Sequence, residues 1–277
     1  MHLLFCVNSQ FTWLLAQCMR SIARHPCTDG YTAHVFYTDL TEADLVYLRA
    51  AVPQVTFQFI PIDANVFADL PESDRYPSVI YERLFAAEFL PTSVERVLYL
   101  DVDTLTIGEI ESLYHMDMQG MTYMACTHVR GAINMINRAR LGVEEDVPYV
   151  NTGVILIDLQ AARRHDTRAD MESFMAENKH KMWLPDQDMM MAMYGQEVGL
   201  MDAFRYNLSD RILTIYNTEH PTAQRDVDWV RENTSIIHYC GKNKPWNADY
   251  HGKLGIFYEE FRRESRDNMQ EEIICES

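Results

Sequence analysis

Short apolar runs and segments with apolar residues at helical spacing take turns through the first hundred residues of the chain. Residues 3–7, 33–37, 55–60 and 96–100 are runs of strand length. Between them, residues 11–23 carry a helical period, 42–51 read as a helix stopped by Pro53, and 79–89 as a helix ended by Pro91. Strands that alternate with helices imply a parallel sheet with right-handed crossovers. The expected fold class is therefore α/β, with a Rossmann-like sheet of the nucleotide-binding kind.

Beyond residue 100 the pattern loosens. Residues 121–126 read as a strand, 133–141 as a short helix, and 151–153 as a turn leading into a strand over 154–157. A helix is predicted over 169–178, a Met-rich helix over 186–194 behind Pro185, and a late strand over 235–239. The methionines at 189–191 read as core filler. Residues 204–234 mix Asn, Asp, Thr and Pro and are expected to be loops, where acceptor recognition is placed. The segment 256–272 has acidic and basic residues interspersed, which suits a packing helix better than a membrane anchor. One catalytic domain over 1–250 is expected, with a helical appendage over 251–277 packed on it.

Charge narrows the partners. A net charge of −17 argues against nucleic acid and against a polyanionic membrane surface, because both are bound through Lys and Arg clusters. A phosphorylated ligand would need local positive charge, and a metal ion is the most compact source. The six cysteines form no C-x-x-C pair, which suits a reducing, cytoplasmic compartment. No stretch approaches the ~20 apolar residues of a membrane span, so only peripheral membrane contact remains.

The candidate chemistry begins where the strand 96–100 runs into Asp101-Val102-Asp103. Side chains at i and i+2 of an extended chain share a face, and open α/β sheets bind ligands at the carboxyl ends of strands. The two acids can therefore grip one divalent cation. The Asp-x-Asp triplet recurs at 186–188 and 226–228, so context discriminates. At 186–188 it opens a helix, where acids also serve the macrodipole and the cap. At 226–228 two solvated acids are the simpler reading. A further segment, His-Tyr-Cys-Gly-Lys-Asn-Lys-Pro-Trp at 238–246, sets a histidine at a strand end before a basic turn suited to a diphosphate.

Together Leu-Tyr-Leu-Asp-Val-Asp at 98–103, Tyr-Val-Asn-Thr-Gly-Val at 149–154, Pro-Asp-Gln-Asp at 185–188 and the segment 238–246 resemble the retaining glycosyltransferases of family 8 over about residues 1–250. That resemblance implies a GT-A fold with a mixed, mainly parallel sheet flanked by helices. It implies transfer of a hexose from UDP-glucose or UDP-galactose to a carbohydrate or glycolipid hydroxyl. Asp101, Asp103 and His238 become ligands of Mn²⁺, with Mg²⁺ as an alternative; oxygen ligands with one imidazole suit manganese. Val102, Gly241 and Lys244 become donor contacts, Asn8 faces the uridine, and Arg83 lies against the donor. Without the resemblance Arg83 reads as a surface helix residue. Asn151, Asp186 and Gln187 become sugar contacts, and Asp188 joins Asp186 and Gln187 as a catalytic candidate. Many members carry acids where this chain has Asn8 and Ser9, and His128 stands where galactosyltransferase relatives carry an aspartate.

Two other readings compete. A haloacid-dehalogenase-type phosphatase also ends a strand in Asp-x-Asp, but usually in the first strand of its fold. A catalytically inactive UDP-sugar-binding relative would keep the ligands and lack turnover.

Overall fold

The computed structural model describes residues 1–67, 81–128, 132–178 and 181–275. Among them nine strands form, β1 (His2–Cys6), β2 (Tyr31–Tyr37), β3 (Val55–Pro61), β4 (Arg96–Leu100), β5 (Thr104–Thr106), β6 (Tyr123–Cys126), β7 (Asn151–Asp158), β8 (Val198–Leu200) and β9 (Ile236–His238). Seven of these make one sheet in the order β3-β2-β1-β4-β7-β6-β8, and β5 pairs with β9 in a separate ribbon. Within the large sheet every strand runs the same way except β7, which is antiparallel to both neighbours.

Helices cover both faces, so central strands must be apolar on both sides. Leu4, Tyr99 and Ile155 point into one core with Met189, Met190 and Met191 of the helix Pro185–Tyr194. Their neighbours Leu3, Leu98 and Leu156 point into the opposite core, packed with Leu15 and Met19 of the helix Thr12–Ala23. That alternation explains the unbroken apolar runs at 3–7 and 97–100.

A third core joins the β5–β9 ribbon to the end of the chain through Leu105, Ile237, Leu208, Phe257, Tyr258 and Phe261. The last three of these, Phe257, Tyr258 and Phe261, lie on the carboxyl-terminal helix Gly255–Cys275. Among the described residues no helix is long and apolar enough to cross a membrane, and Cys6, Cys18, Cys27, Cys126 and Cys240 are free thiols.

In secondary structure, three stretches named in the sequence reading come out differently. Residues 204–234 hold helices Ala203–Tyr206, Asp210–Glu219 and Val227–Asn233 in place of loops. The polar residues there are N-caps: Asp202 accepts from Phe204 N–H at 2.8 Å, Ser209 from Ile212 N–H at 3.4 Å and Asp226 from Trp229 N–H at 2.9 Å. The expected turn at 151–153 is the start of β7, because Asp101 N–H donates to Gly153 O at 2.8 Å and prolongs the β4–β7 ladder. The helix expected over 79–89 is a 3₁₀ turn, Glu82–Phe85, followed by one α turn, Ala86–Phe89, while residues 79–80 lie outside the described residues.

Candidate active site

Reversal of β7 decides what meets at the sheet's edge. β4 delivers Asp101 at its carboxyl end, and the antiparallel β7 delivers Asn151 and Gly153 at its amino end, so the two segments face each other. After Asp101 the chain turns: Thr104 donates to Asp101 O through both its N–H, at 3.2 Å, and its hydroxyl, at 2.8 Å. Asp101 and Asp103 thus converge through a turn, where strand alternation was expected to align them. The ribbon supplies the third group, since Thr104 of β5 lies opposite His238 of β9.

His238 Nε2 lies 3.2 Å from Asp103 Oδ1 and 3.6 Å from Asp101 Oδ2. One ligand atom from each of Asp101, Asp103 and His238 falls within 4.8 Å of the others, a group able to hold a metal ion. Two further observations fit that use. Asn207 Oδ1 sits 2.9 Å from His238 Nδ1, which places the hydrogen on Nδ1 and the Nε2 lone pair towards the carboxylates. A Cβ added at Gly153 would fall 2.1 Å from His238 Cε1 and 2.8 Å from Asp101 Oδ2, so the strand is bare where the cluster needs room. Burial raises the Asp103 carboxyl, but Lys244 and His238 in its protonated form, with both ring nitrogens carrying hydrogen, outweigh it and hold the group well below the usual carboxylate range.

Arg83 is buried, contrary to the surface position its sequence context implied, because the Glu82–Phe85 turn packs inward. Its guanidinium donates to Thr152 O at 2.8 Å, lies 3.0 Å from Asp101 Oδ1 and 3.5 Å from Asp186 Oδ2, and stacks over Tyr99 with 4.6 Å to the ring centroid. Tyr99 donates its hydroxyl to Asp101 Oδ1 at 2.6 Å. Burial pushes the Asp186 carboxyl up, offset by Arg83 and by the Thr152 hydroxyl, which donates to it at 2.5 Å. Asp186 is therefore tied to the Asp101–Asp103–His238 cluster through one arginine.

Asp188 is brought elsewhere. Fully buried, it accepts two bonds from Arg140, at 2.6 and 2.9 Å, one from the Tyr149 hydroxyl at 2.9 Å, and two from the N–H groups of Trp183 and Leu184, at 2.7 and 3.1 Å. Both its oxygens are engaged in anchoring the start of its helix. Gln187 between the two acids is half-buried.

Asn151 Oδ1 accepts from Gly153 N–H at 3.1 Å and from Asn207 Nδ2 at 3.0 Å. Lys244 forms an ion pair with Asp103 and donates to Tyr239 O at 2.8 Å, and Gly241 takes a φ of +87° in the turn between them. Val102 is half-buried between the acids. At the carboxyl end of β1, Asn8 Oδ1 is buried and has no hydrogen-bond partner. Ser9 next to it donates its N–H and hydroxyl to Asp39, at 2.9 and 2.7 Å. The buried Glu82 also lacks partners on both oxygens, and burial pushes its carboxyl up to about 8.

The family model of glycosyl transferase family 8 matches residues 2–250. The chain belongs to glycosyl transferase family 8. General stress protein A of Bacillus subtilis is 26% identical over 200 residues, covering 70% of this chain and 68% of the relative. Lipopolysaccharide 1,2-glucosyltransferase of Escherichia coli is 24% identical over 232 residues, 82% of this chain and 67% of its own length. The crystal structure of galactosyltransferase LgtC in complex with donor and acceptor sugar analogs superposes with a TM-score of 0.77 at 23% identity, covering 94% of this chain and 95% of that one. The fold is accordingly of the GT-A type, and the protein is a glycosyltransferase. Membership of family 8 sets the phosphatase reading aside, as does the place of Asp101-Val102-Asp103 behind the fourth strand of the chain.

The family 8 motifs led to the cluster, but they left out several residues that shape it. Asn207 orients His238 from a region read as loop. Gly153, Thr152 and Tyr99 lay inside the quoted motifs with no role assigned. Arg140 lay in a helix with no motif at all, and only its bidentate grip on Asp188 reveals it.

Proposed function

We propose that this family 8 enzyme moves a hexose, glucose or galactose, from a UDP-sugar to a hydroxyl acceptor with retention of anomeric configuration. The observation that carries the reading is the convergence of Asp101, Asp103 and His238 from β4 and β9 beside a lysine-bearing turn, in a protein of net charge −17. These three residues would hold a divalent cation, Mn²⁺ by the chemistry of two carboxylates and one imidazole, or Mg²⁺. When bound, such an ion supplies the positive charge that lets a diphosphate enter and leave an acidic protein.

The protein's own groups account for the rest. Lys244 is a cation held beside the cluster by Asp103 and the Tyr239 carbonyl, suited to meeting the charge that develops on departing UDP. Asn8 offers its unpartnered carbonyl oxygen to a donor such as the uracil N–H, and burial makes that bond worth about 1–3 kcal/mol of discrimination. Asp186, fixed by Arg83 and Thr152, would hold sugar hydroxyls together with Asn151 and Gln187.

Retention needs either a covalent sugar intermediate or attack from the leaving-group side. Gln187 is an amide and a poor nucleophile, and Asp188 is engaged by Arg140 and Tyr149. A front-face course fits better: the acceptor oxygen bonds to the anomeric carbon as the bond to the diphosphate breaks, and the hydroxyl proton passes to the departing phosphate oxygen.

Release of UDP from UDP-glucose and UDP-galactose, with and without Mn²⁺ and with EDTA, tests the reading. Metal-dependent release from one donor is the expected result. Tight UDP-sugar binding without release from any donor would identify an inactive relative.

A further inference from the structure

Beside the cluster lies a cavity of about 220 Å³ that none of the roles above uses. One wall is a face of the helix Asp210–Glu219, which contributes Arg211, Ile215 and Glu219 at intervals of four residues, the spacing that aligns side chains along one side of a helix. Ile133 contributes an apolar side chain, and His128 also lines the space. Ile133 is 46% and Ile215 41% exposed, a cost that an apolar ligand would relieve.

Two features give the cavity a direction. His128 donates from Nε2 to Asn207 O at 2.9 Å, and its ring centroid lies 6.3 Å from that of His238, so this residue borders both the cavity and the cluster. Arg211 lies in the first turn of its helix, four residues after the Asn207 whose carbonyl His128 bonds, so it lines the cavity at the same end as His128. Glu219 follows two helical turns later, about 12 Å along the axis. From the reaction centre outward the order is thus cation, apolar side chains, carboxylate.

Arg211 makes no ion pair or hydrogen bond among the described residues, although acids outnumber bases 41 to 24 in the sequence. A guanidinium pairs a carboxylate through two parallel N–H bonds, and that pairing discriminates against neutral analogues.

We propose that the cavity is an acceptor subsite for an anionic glycoside, a sugar carrying a carboxylate and linked to an apolar aglycone. The carboxylate meets Arg211, the aglycone lies between Ile133 and Ile215, and Glu219 turns away any ligand entering with its charge outermost. The assignment deepens the glycosyl-transfer reading and rests on it for the word acceptor.

Binding of phenyl β-D-glucuronide, phenyl β-D-glucoside and sodium glucuronate to the full chain, measured by titration calorimetry without donor, tests the assignment. The glucuronide should bind about tenfold tighter than the glucoside. Arg211→Gln, at an exposed helix position, should erase that difference and leave the glucoside unchanged. Ile215→Asp should weaken both phenyl glycosides and spare glucuronate. Equal affinity for the two phenyl glycosides, no binding of the glucuronide at millimolar concentration, or an unaltered preference in Arg211→Gln would overturn it. UDP release without acceptor separates the two readings: release with no glucuronide binding sinks the subsite alone. Glucuronide binding in a protein that releases UDP from no donor sinks the transfer reading and leaves a binding site.

Discussion

Asn207 Oδ1 accepts the Nδ1 hydrogen of His238 at 2.9 Å, and Asn207 Nδ2 donates to Asn151 Oδ1 at 3.0 Å. One amide thus fixes the tautomer of the imidazole and ties it to the amino end of β7. Groups in this relation to a ligating histidine change metal affinity by about 10–100-fold when removed. Asn207→Ala should weaken Mn²⁺ binding in that range while the far-ultraviolet circular dichroism stays native; an unchanged Mn²⁺ titration would mean that the bond is only structural.

Gly153 is the second constraint on the imidazole. His238 is 2% exposed and has nowhere to retreat from a methyl group placed 2.1 Å from its ring. Gly153→Ala should cost about 1–3 kcal/mol of stability by overpacking and should abolish Mn²⁺ binding. A melt and a metal titration of the same variant check both effects. Wild-type values in either would show that β7 can yield.

The Arg140–Asp188 pair is predicted to matter for folding more than for chemistry. Removing one partner of a buried pair strands the other charge and typically costs about 3–5 kcal/mol. Arg140→Met and Asp188→Asn should each fall in that range in denaturant melts, and the double variant should lose less than the sum. If Asp188→Asn instead keeps wild-type stability and loses turnover, the residue acts on substrate.

Glu82 should give the protein a pH dependence that ordinary carboxylates do not. Its folded carboxyl titrates near about 8 against an ordinary value of 4.5, with burial as the main cause. Between those values the folded state binds the proton more tightly than the unfolded state, so stability falls as pH rises from about 4.5 to about 8 and then levels off. The full window corresponds to ~5 kcal/mol at the usual conversion, as an order of magnitude. Glu82→Gln should flatten that slope in thermal melts run across the range; an identical slope in the variant would assign the pH dependence to other groups.

The parts of the fold legible in the sequence were those governed by local periodicity. β4 and the helix Glu42–Ala51 fall on the residues that their patterns mark, because an apolar strand buried on both faces and a capped helix are local signals. The motif residues Asp101, Asp103 and His238 could be named, but their convergence depends on the β5–β9 register and on the reversal of β7, which are long-range pairings. The region 204–234 was misread because Asp202, Ser209 and Asp226 serve turns and N-caps equally well. Arg225 there carries a further hidden signal: it lies 3.9 Å from the Phe204 centroid and 4.1 Å from those of Tyr216 and Trp229, so a charged residue glues short helices together. The burial of Arg83 and Glu82 is likewise a property of their neighbours, since nothing in Tyr-Glu-Arg-Leu distinguishes an inward from an outward turn.

The pairing of Thr104 with His238 also bears on how the protein is made. Synthesis proceeds from the amino terminus, so Asp101 and Asp103 emerge from the ribosome well over a hundred residues before the imidazole that completes their cluster. Until β9 has been translated and zipped onto β5, the nascent chain exposes two neighbouring acids and an unpaired ribbon edge. The Asp101–Asp103–His238 cluster therefore cannot close before residue 238 has been made, and a prematurely terminated product lacking that residue would carry most of the sheet with the cluster incomplete.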